Sequence, residues 1–294
     1  MKYIKKIFGG IDLSWKKLII MAIIIGIYCG IVATLPITAD TSFHDIAETF
    51  EIWIFFGIFI IMNSKSNKDA ALKCFIFFLI SQPLVYLVQV PFNSLGWQLF
   101  AYYKYWFIWT LFTIPMGYIG YYMKKNKWWT AIILAPMLLF LAYHYMGFLG
   151  QTLYWLPRHL LTTIYCVAAL FIFPSILENK NARLIAYIIS GLIFIVTTAL
   201  ALFNPYEYNT QLGSSGGTRF DYFDDKYNVY FENKNIGDVT IEYNKEIEDY
   251  LLTVKFKHGG KTKLIIESPD KKKKIYNVDV RYRKYDVEEV KEGK

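Results

Sequence analysis

Seven apolar segments precede residue 204, and each approaches the length of about 20 residues that an α-helix needs to cross a bilayer core. They cover residues 18–39, 45–63, 72–90, 105–123, 128–149, 157–177 and 183–203. This pattern predicts a polytopic α-helical membrane bundle of seven transmembrane helices over residues 18–203. Because seven is an odd number, the two ends of the chain are expected on opposite sides of the membrane.

Basic residues are distributed unevenly around these segments. Thirteen of the fifteen Lys and Arg residues before position 205 lie at the segment ends that share a side with the amino terminus. Since Lys and Arg resist translocation, that side is expected to be cytoplasmic. We therefore predict a multi-pass plasma-membrane protein with a cytoplasmic amino terminus and an extracytoplasmic carboxyl-terminal domain. The thirteen residues are Lys2, Lys5, Lys6, Lys16, Lys17, Lys65, Lys68, Lys73, Lys124, Lys125, Lys127, Lys180 and Arg183.

The net charge of +8 belongs to the membrane part, because residues from 205 onward carry seventeen basic and seventeen acidic side chains. A nucleic-acid-binding protein would concentrate its positive charge on one folded face, so nucleic acid is not a predicted partner. The three cysteines, Cys29, Cys74 and Cys166, all lie within apolar segments, and the carboxyl-terminal part has none. This composition favours a bacterial cell envelope over a disulfide-rich compartment.

Two short regions flank the predicted bundle. Residues 1–17 are predicted to form a cytoplasmic basic amphipathic segment, because apolar and Lys residues alternate up to Gly9 and Gly10. A disordered basic tail is the alternative. Residues 204–218 are rich in Gly, Ser and Asn, which is typical of a flexible linker.

In residues 219–294 the apolar residues follow a period of two instead of forming long continuous segments. Apolar residues alternate with polar ones in runs that are separated by turn-forming residues, a pattern that predicts antiparallel β-strands. Five or six such strands are most simply packed as a small all-β sandwich. The alternating residues are Val229 and Phe231; Val239 and Ile241; Leu252, Val254 and Phe256; Leu264 and Ile266; and Tyr276, Val278, Val280 and Tyr282.

This region resembles bacterial immunoglobulin-like surface domains over residues 225–290. The resemblance rests on Leu252, Val254 and Phe256, then Gly259 and Gly260, then residues 261–266 and a final strand with Val278 and Val280. The cysteine pair and core Trp of antibody domains are absent. The resemblance implies an Ig-like fold and a role as a spacer or binding module at the cell envelope.

Acidic and histidine side chains, which can act in catalysis or binding, are concentrated at the predicted outer ends of the spans. Ser42 followed by Asp45 predicts a capped helix start, so that His44, Glu48 and Glu51 would lie one turn apart on one helical face. Glu51 would then lie about two turns inside an apolar helix, where an ionisable group is costly enough to need a partner or a function.

A second set of polar residues surrounds the loop between the fifth and sixth segments. Pro157 predicts a helix start that places Arg158 and His159 in its first turn, where cations oppose the helix dipole and favour a nearby carboxylate. Glu48 and Glu51 are the expected partners of these two cations. His144 lies within about two turns of the same loop. These features predict one outward-facing polar cluster, with interfacial side chains and one structural ion pair as the alternative. The cluster comprises His44, Glu48, Glu51, His144, Arg158 and His159.

The cluster is only weak evidence for a metal-binding site. The zinc-hydrolase motif is absent, and so is a pair of histidines four residues apart on one helix. Whether metal binds is therefore not predicted. No phosphate-binding or dinucleotide-binding fingerprint occurs, so no cofactor is predicted.

Three classes of function fit these features. The preferred one is an envelope protein that sits in the lipid bilayer and binds a polymer, a lipid-linked molecule or a protein through residues 219–294. The second is a membrane-embedded enzyme for a lipid or lipid-linked substrate. In that enzyme Glu51 or Glu48 would act as general base, His44 or His159 would shuttle the proton, and Arg158 would stabilise anionic charge. The third is a transporter, suggested by prolines inside the spans.

Overall fold

The computed structural model describes residues 2–39, 41–93, 95–154, 159–203, 208–217, 219–245, 247–281 and 284–290. The chain divides into two compact units. The helical unit comprises Met1–Thr152 and Leu156–Ala201, and the β unit comprises Leu153–Trp155 and Leu202–Lys294.

All seven apolar segments are helical over most of their length. Four helices are long and apolar enough to cross a membrane: Trp15–Thr34, Asn67–Phe92, Thr130–Gly150 and Lys180–Leu202. Over the described residues the α-helices are α1 (Lys2–Ile7), α2 (Trp15–Thr34), α3 (Ser42–Glu48), α4 (Phe50–Met62), α5 (Asn67–Gln89), α6 (Phe100–Gly120), α7 (Thr130–Tyr154), α8 (Leu160–Ile172) and α9 (Lys180–Phe203).

The other three predicted spans are too short or too polar to count as candidate membrane spans by length and hydropathy alone. Helices α4 and α8 have 13 residues each, or about 20 Å, which is shorter than the bilayer core of about 30 Å. Helix α6 has 21 residues, but its tyrosines and its lysine lower its mean hydropathy. Length and composition alone therefore identify four candidate spans.

The prediction of one continuous helix over residues 45–63 is wrong. Helix α3 ends at Glu48, Thr49 is extended with φ −112° and ψ 160°, and α4 begins at Phe50. The Thr49 hydroxyl and backbone N–H both donate to the carbonyl oxygen of Asp45, at 2.5 and 2.8 Å, which satisfies the carbonyl at the end of α3. The predicted cap is also wrong, because Thr41 occupies the N-cap position and Ser42 lies inside α3.

Two glycines allow α2 to pack closely on α5. A Cβ atom on Gly26 would lie 2.7 Å from the Ser81 carbonyl oxygen, and one on Gly30 would lie 2.6 Å from the Val88 Cβ. The four-residue spacing of the two glycines matches the small-residue motif by which membrane helices approach each other. Gly26 and Gly30 therefore set the distance between the two helix backbones.

We expect Gly26→Val to lower the free energy of unfolding by about 1–3 kcal/mol, because the new side chain cannot fit without moving a backbone. Thermal unfolding of the detergent-solubilised chain measures the change. Gly191→Val on α9 is the matched control, since a Cβ there meets nothing within 4 Å. Equal stability of the two variants would contradict this account of the packing.

The amino-terminal segment packs against the other helices. The Asn63 side chain accepts hydrogen bonds from the backbone N–H groups of Gly9 and Ile11, at 3.0 and 2.9 Å, and donates to the Ile7 carbonyl at 2.7 Å. Phe8 is buried. Residues 7–11 are therefore ordered, and the alternative of a disordered basic tail is wrong for them.

The β unit contains two antiparallel sheets. Its strands in the described residues are β1 (Tyr208–Ser214), β2 (Asn228–Phe231), β3 (Gly237–Asn244), β4 (Asp249–Phe256), β5 (Gly260–Glu267), β6 (Lys273–Arg281) and β7 (Lys284–Glu289). One sheet has the order β1-β4-β3 and the other β2-β5-β6-β7. The five predicted strands, β2 to β6, are confirmed. The linker predicted over residues 204–218 is wrong at residues 208–214, which form β1 and pair with β4.

Both sheets contribute to one buried cluster. Phe256 of β4 is fully buried, and its ring lies 5.8 Å from Tyr208 of β1 and 5.9 Å from Phe231 of β2. Tyr285 of β7 approaches the same ring at 5.9 Å. The β unit therefore has a hydrophobic core of its own.

Candidate functional site

A buried hydrogen-bond network links α3 to α8. Nδ1 of His159 lies 3.0 Å from Oδ2 of Asp45, and the Thr162 hydroxyl donates to the same oxygen at 2.6 Å. When the Asp45 carboxylate is ionised it only accepts hydrogen bonds, and in that state Nδ1 of His159 is the donor. The backbone N–H of Thr162 donates to the Ser42 hydroxyl at 3.1 Å. His159 is positioned at the N-cap of α8, so the network ties the start of α8 to α3.

A second pair links α4 to α7. Glu51, in the first turn of α4, contacts Nδ1 of His144 through Oε1, and its carboxylate is 2% exposed. Its other oxygen, Oε2, is buried and has no hydrogen-bond partner among the residues that the structure describes. The His144 ring packs against Phe140, with 4.6 Å between ring centroids.

Asp45 and Glu51 both line one cavity of about 170 Å³. The break at Thr49 makes this arrangement, because it allows Asp45 and Glu51 to leave separate helices and still reach the same space. The Tyr165 hydroxyl from α8 donates to the Glu51 carbonyl oxygen at 3.2 Å and closes one side. The remaining wall is formed by Ser42, Phe43, Ile46, Thr49, Ile52, Leu161 and Thr162.

Paired histidine and carboxylate side chains can transfer protons, since the carboxylate orients the ring and stabilises its charged form. The dimensions limit what they can act on here. Ligand sites usually enclose about 300–1,000 Å³, so a cavity of about 170 Å³ is small for a lipid-linked substrate. The arrangement is suited to joining four helices through two polar cross-links.

The structure therefore brings together only part of the polar cluster that the sequence predicts. His159 and Glu51 both belong to the site, but His159 pairs with Asp45 rather than with Glu51. His44 is half-buried on α3 and does not share a helix with Glu51. Arg158 and the side chain of Glu48 lie outside the described residues.

Sequence reasoning missed four members of the site: Ser42, Asp45, Thr162 and Tyr165. Ser42 and Asp45 were interpreted as a helix cap, which explained their polarity without a tertiary partner. Thr162 and Tyr165 lie three and six residues after His159 in an apolar segment, and that spacing was the available signal. Within the described part of the chain, no group of three His, Cys, Asp or Glu side chains is arranged to hold a metal ion.

The β unit presents a second candidate surface, formed by two tyrosine pairs. The Tyr222 and Tyr227 rings lie 6.3 Å apart, and the Tyr243 and Tyr250 rings lie 5.2 Å apart. Tyr222 is 63% exposed and Tyr243 is 53% exposed. The Tyr222 hydroxyl donates to the Asp224 carboxylate at 3.4 Å, and that carboxylate is the main cause of the raised pKa of Tyr222. We call these four residues the tyrosine surface.

Comparison with known proteins does not extend these observations, because no family model, curated protein or solved structure matches the chain.

Proposed function

We propose that this chain is a multi-pass plasma-membrane protein of the bacterial envelope that binds an envelope component through its β unit. The observation that carries the proposal is a contrast between the two candidate sites. Both carboxylates of the polar site already contact histidines from other helices beside a cavity too small for most ligands, whereas Tyr222 and Tyr243 of the tyrosine surface are exposed. Exposed aromatic side chains are common centres of binding.

Helix lengths support seven membrane crossings. Helices α3 and α4 together cover 21 residues from Ser42 to Met62, or about 31 Å, and Thr49 satisfies the carbonyl freed at their junction. A broken helix is tolerated at membrane depth when its backbone is satisfied within the protein. Helix α8 continues as a 3₁₀ turn to Ile176, giving about 27 Å in total. With the distribution of basic residues, this supports a cytoplasmic amino terminus and an external β unit.

The proposed role of the β unit follows its resemblance to immunoglobulin-like surface domains. Its strand orders, β1-β4-β3 and β2-β5-β6-β7, are not the ABED and CFG orders of antibody constant domains. For that reason no antibody-type binding loop is carried over, and the binding site is assigned to the tyrosine surface. An envelope polymer is the proposed ligand, and a lipid-linked molecule or protein partner is the alternative.

Sedimentation with purified bacterial cell-wall sacculi tests this proposal. The full-length chain in detergent is expected to sediment with the sacculi, and deletion of residues 204–294 is expected to abolish sedimentation. The double variant Tyr222→Ala/Tyr243→Ala should weaken binding roughly tenfold or more, since two exposed aromatic contacts are lost. Protease added to intact cells should also remove the β unit. Protection from protease, or sedimentation of the truncated chain, would contradict the proposal.

A membrane-embedded enzyme acting on a lipid or lipid-linked substrate is the second candidate. It is favoured by Glu51, whose Oε2 has no hydrogen-bond partner in the described part of the chain and which contacts a histidine. In this alternative Glu51 and His144 would form the proton-transfer pair. Glu51→Gln separates the two functions: it should leave sacculus binding unchanged if the chain acts through its β unit, and it should abolish function if the helical unit is catalytic.

A further inference from the structure

A large apolar cavity lies between α4, α5, α6 and α7. Its volume is about 660 Å³, and it is separate from the small cavity at Asp45 and Glu51. Among its polar wall groups, Thr110 and Thr113 donate their hydroxyls to carbonyl oxygens of their own helix, at 2.9 and 2.6 Å. The indole N–H of Trp53 is buried and has no hydrogen-bond partner among the described residues. The rest of the wall offers a ligand mainly apolar and aromatic contact. Representative wall residues are Trp53, Phe78, Trp106, Trp109, Met137 and Phe140.

The cavity has the length of one bilayer leaflet. Along α4 it extends from Phe50 to Ile61, eleven residues apart, which corresponds to about 16 Å. Half of a hydrocarbon core of about 30 Å is about 15 Å. Prolines at positions 115 and 136 lie in the facing walls of α6 and α7, where such residues bend helices and separate them.

Polar groups lie near both ends of the cavity. At one end the rings of Phe50 and Phe140 pack against His144, at 6.1 and 4.6 Å between centroids, and His144 contacts Glu51. At the other end the wall is formed by Ile61, Gly120 and Ile132, and Lys124, four residues beyond Gly120, donates to the Ser64 carbonyl at 2.8 Å. An occupant that matches this wall is apolar over most of its length.

From these features we infer that the cavity binds one hydrocarbon chain of a membrane lipid along its apolar length. The cavity is partly open rather than enclosed. For comparison, an enclosed engineered cavity of about 150 Å³ holds one benzene. The present volume is more than four times larger, which suffices for a single long chain. Two of the four helices that flank the cavity, α5 and α7, are long and apolar enough to cross a bilayer. In a membrane, lipid chains are therefore the apolar molecules that surround the cavity.

This inference depends on the membrane location of the helical unit and is independent of the ligand of the β unit. Failure of sacculus binding would leave it intact. Likewise, loss of lipid binding would leave the proposed role of the β unit intact.

Gly57→Phe tests the inference, because Gly57 lines the cavity and a Cβ there meets nothing within 4 Å. The full-length chain is purified in mild detergent, washed, and extracted for quantification of retained phospholipid by mass spectrometry. About one lipid per wild-type chain is expected. The phenyl ring should displace at least two CH₂ groups, at about 0.8 kcal/mol each, and so reduce retention roughly tenfold.

Two further variants make the result decisive. Gly191→Phe is the matched control, since its Cβ also meets nothing within 4 Å but it does not line the cavity, and it should retain lipid like the wild type. Met137→Trp fills the cavity from α7 and should reproduce the loss if Gly57→Phe fails to fold. Equal lipid retention by the two cavity variants and the control would overturn the inference, as would a wild-type chain that retains none.

Discussion

His144→Ala is expected to destabilise the helical unit by about 3–5 kcal/mol, because it leaves the Glu51 carboxylate buried without its partner. Glu51 is 2% exposed, and its Oε2 already has no hydrogen-bond partner among the described residues. Removing one member of a buried pair is more damaging than removing both, since only the single substitution leaves an uncompensated charge.

A double-mutant cycle measures this effect by unfolding in detergent. The variant His144→Ala/Glu51→Leu should recover most of the lost stability, because the buried charge is absent. Asp12→Ala is the exposed control: Asp12 lies 3.9 Å from Lys65, the two side chains are 70% and 81% exposed, and its loss should change stability by less than about 1 kcal/mol. A double variant as unstable as His144→Ala would show that the pair does not act as proposed.

The helices of this chain could be predicted from local sequence, but the break between α3 and α4 could not. Apolar length identifies each helical segment regardless of its neighbours. At the break, Thr41, Ser42 and Thr49 all carry hydroxyls that can cap or end a helix, so local propensity does not choose among them. The choice depends on a tertiary contact, because the Ser42 hydroxyl accepts the backbone N–H of Thr162, 120 residues away.

The same limit applies to the site. The sequence places carboxylates and histidines at one end of the predicted spans, and the structure brings two of the carboxylate residues, Asp45 and Glu51, to one cavity. Pairing depends on which helices are neighbours, and no local pattern contains that information. In the structure Asp45 pairs with His159, and Glu51 pairs with His144.

In the β unit, the five strands with apolar alternation, β2 to β6, could be predicted from the sequence. The first and last strands, β1 and β7, could not. Strand β1 reads Tyr-Asn-Thr-Gln-Leu-Gly-Ser, and only Leu212 of it is buried. Its extended conformation comes from hydrogen bonds to β4, about 40 residues further along the chain. Strand β7 has two half-buried apolar positions, Tyr285 and Val287, and it depends in the same way on β6.

Phe256→Ala is expected to destabilise the β unit by about 3–5 kcal/mol, the usual cost of removing a fully buried aromatic side chain. Its ring contacts Tyr208, Phe231 and Tyr285, so the substitution leaves a cavity where strands of both sheets meet. A domain of this size is stabilised by about 5–15 kcal/mol in total. The substitution should therefore remove a large part of the free energy of unfolding of the β unit.

Pulse proteolysis of the full-length chain in increasing urea measures this change on the β unit alone, if the fragment released is identified by mass. The midpoint should fall by about 2 M, given a denaturant dependence of about 2 kcal/mol per molar urea. Tyr243→Ala is the control: this ring is 53% exposed, and its removal should move the midpoint little. Because the β unit has a separate core, the unfolding of the helical unit should be unchanged in both variants. A parallel shift in both units would show that the two cores unfold together.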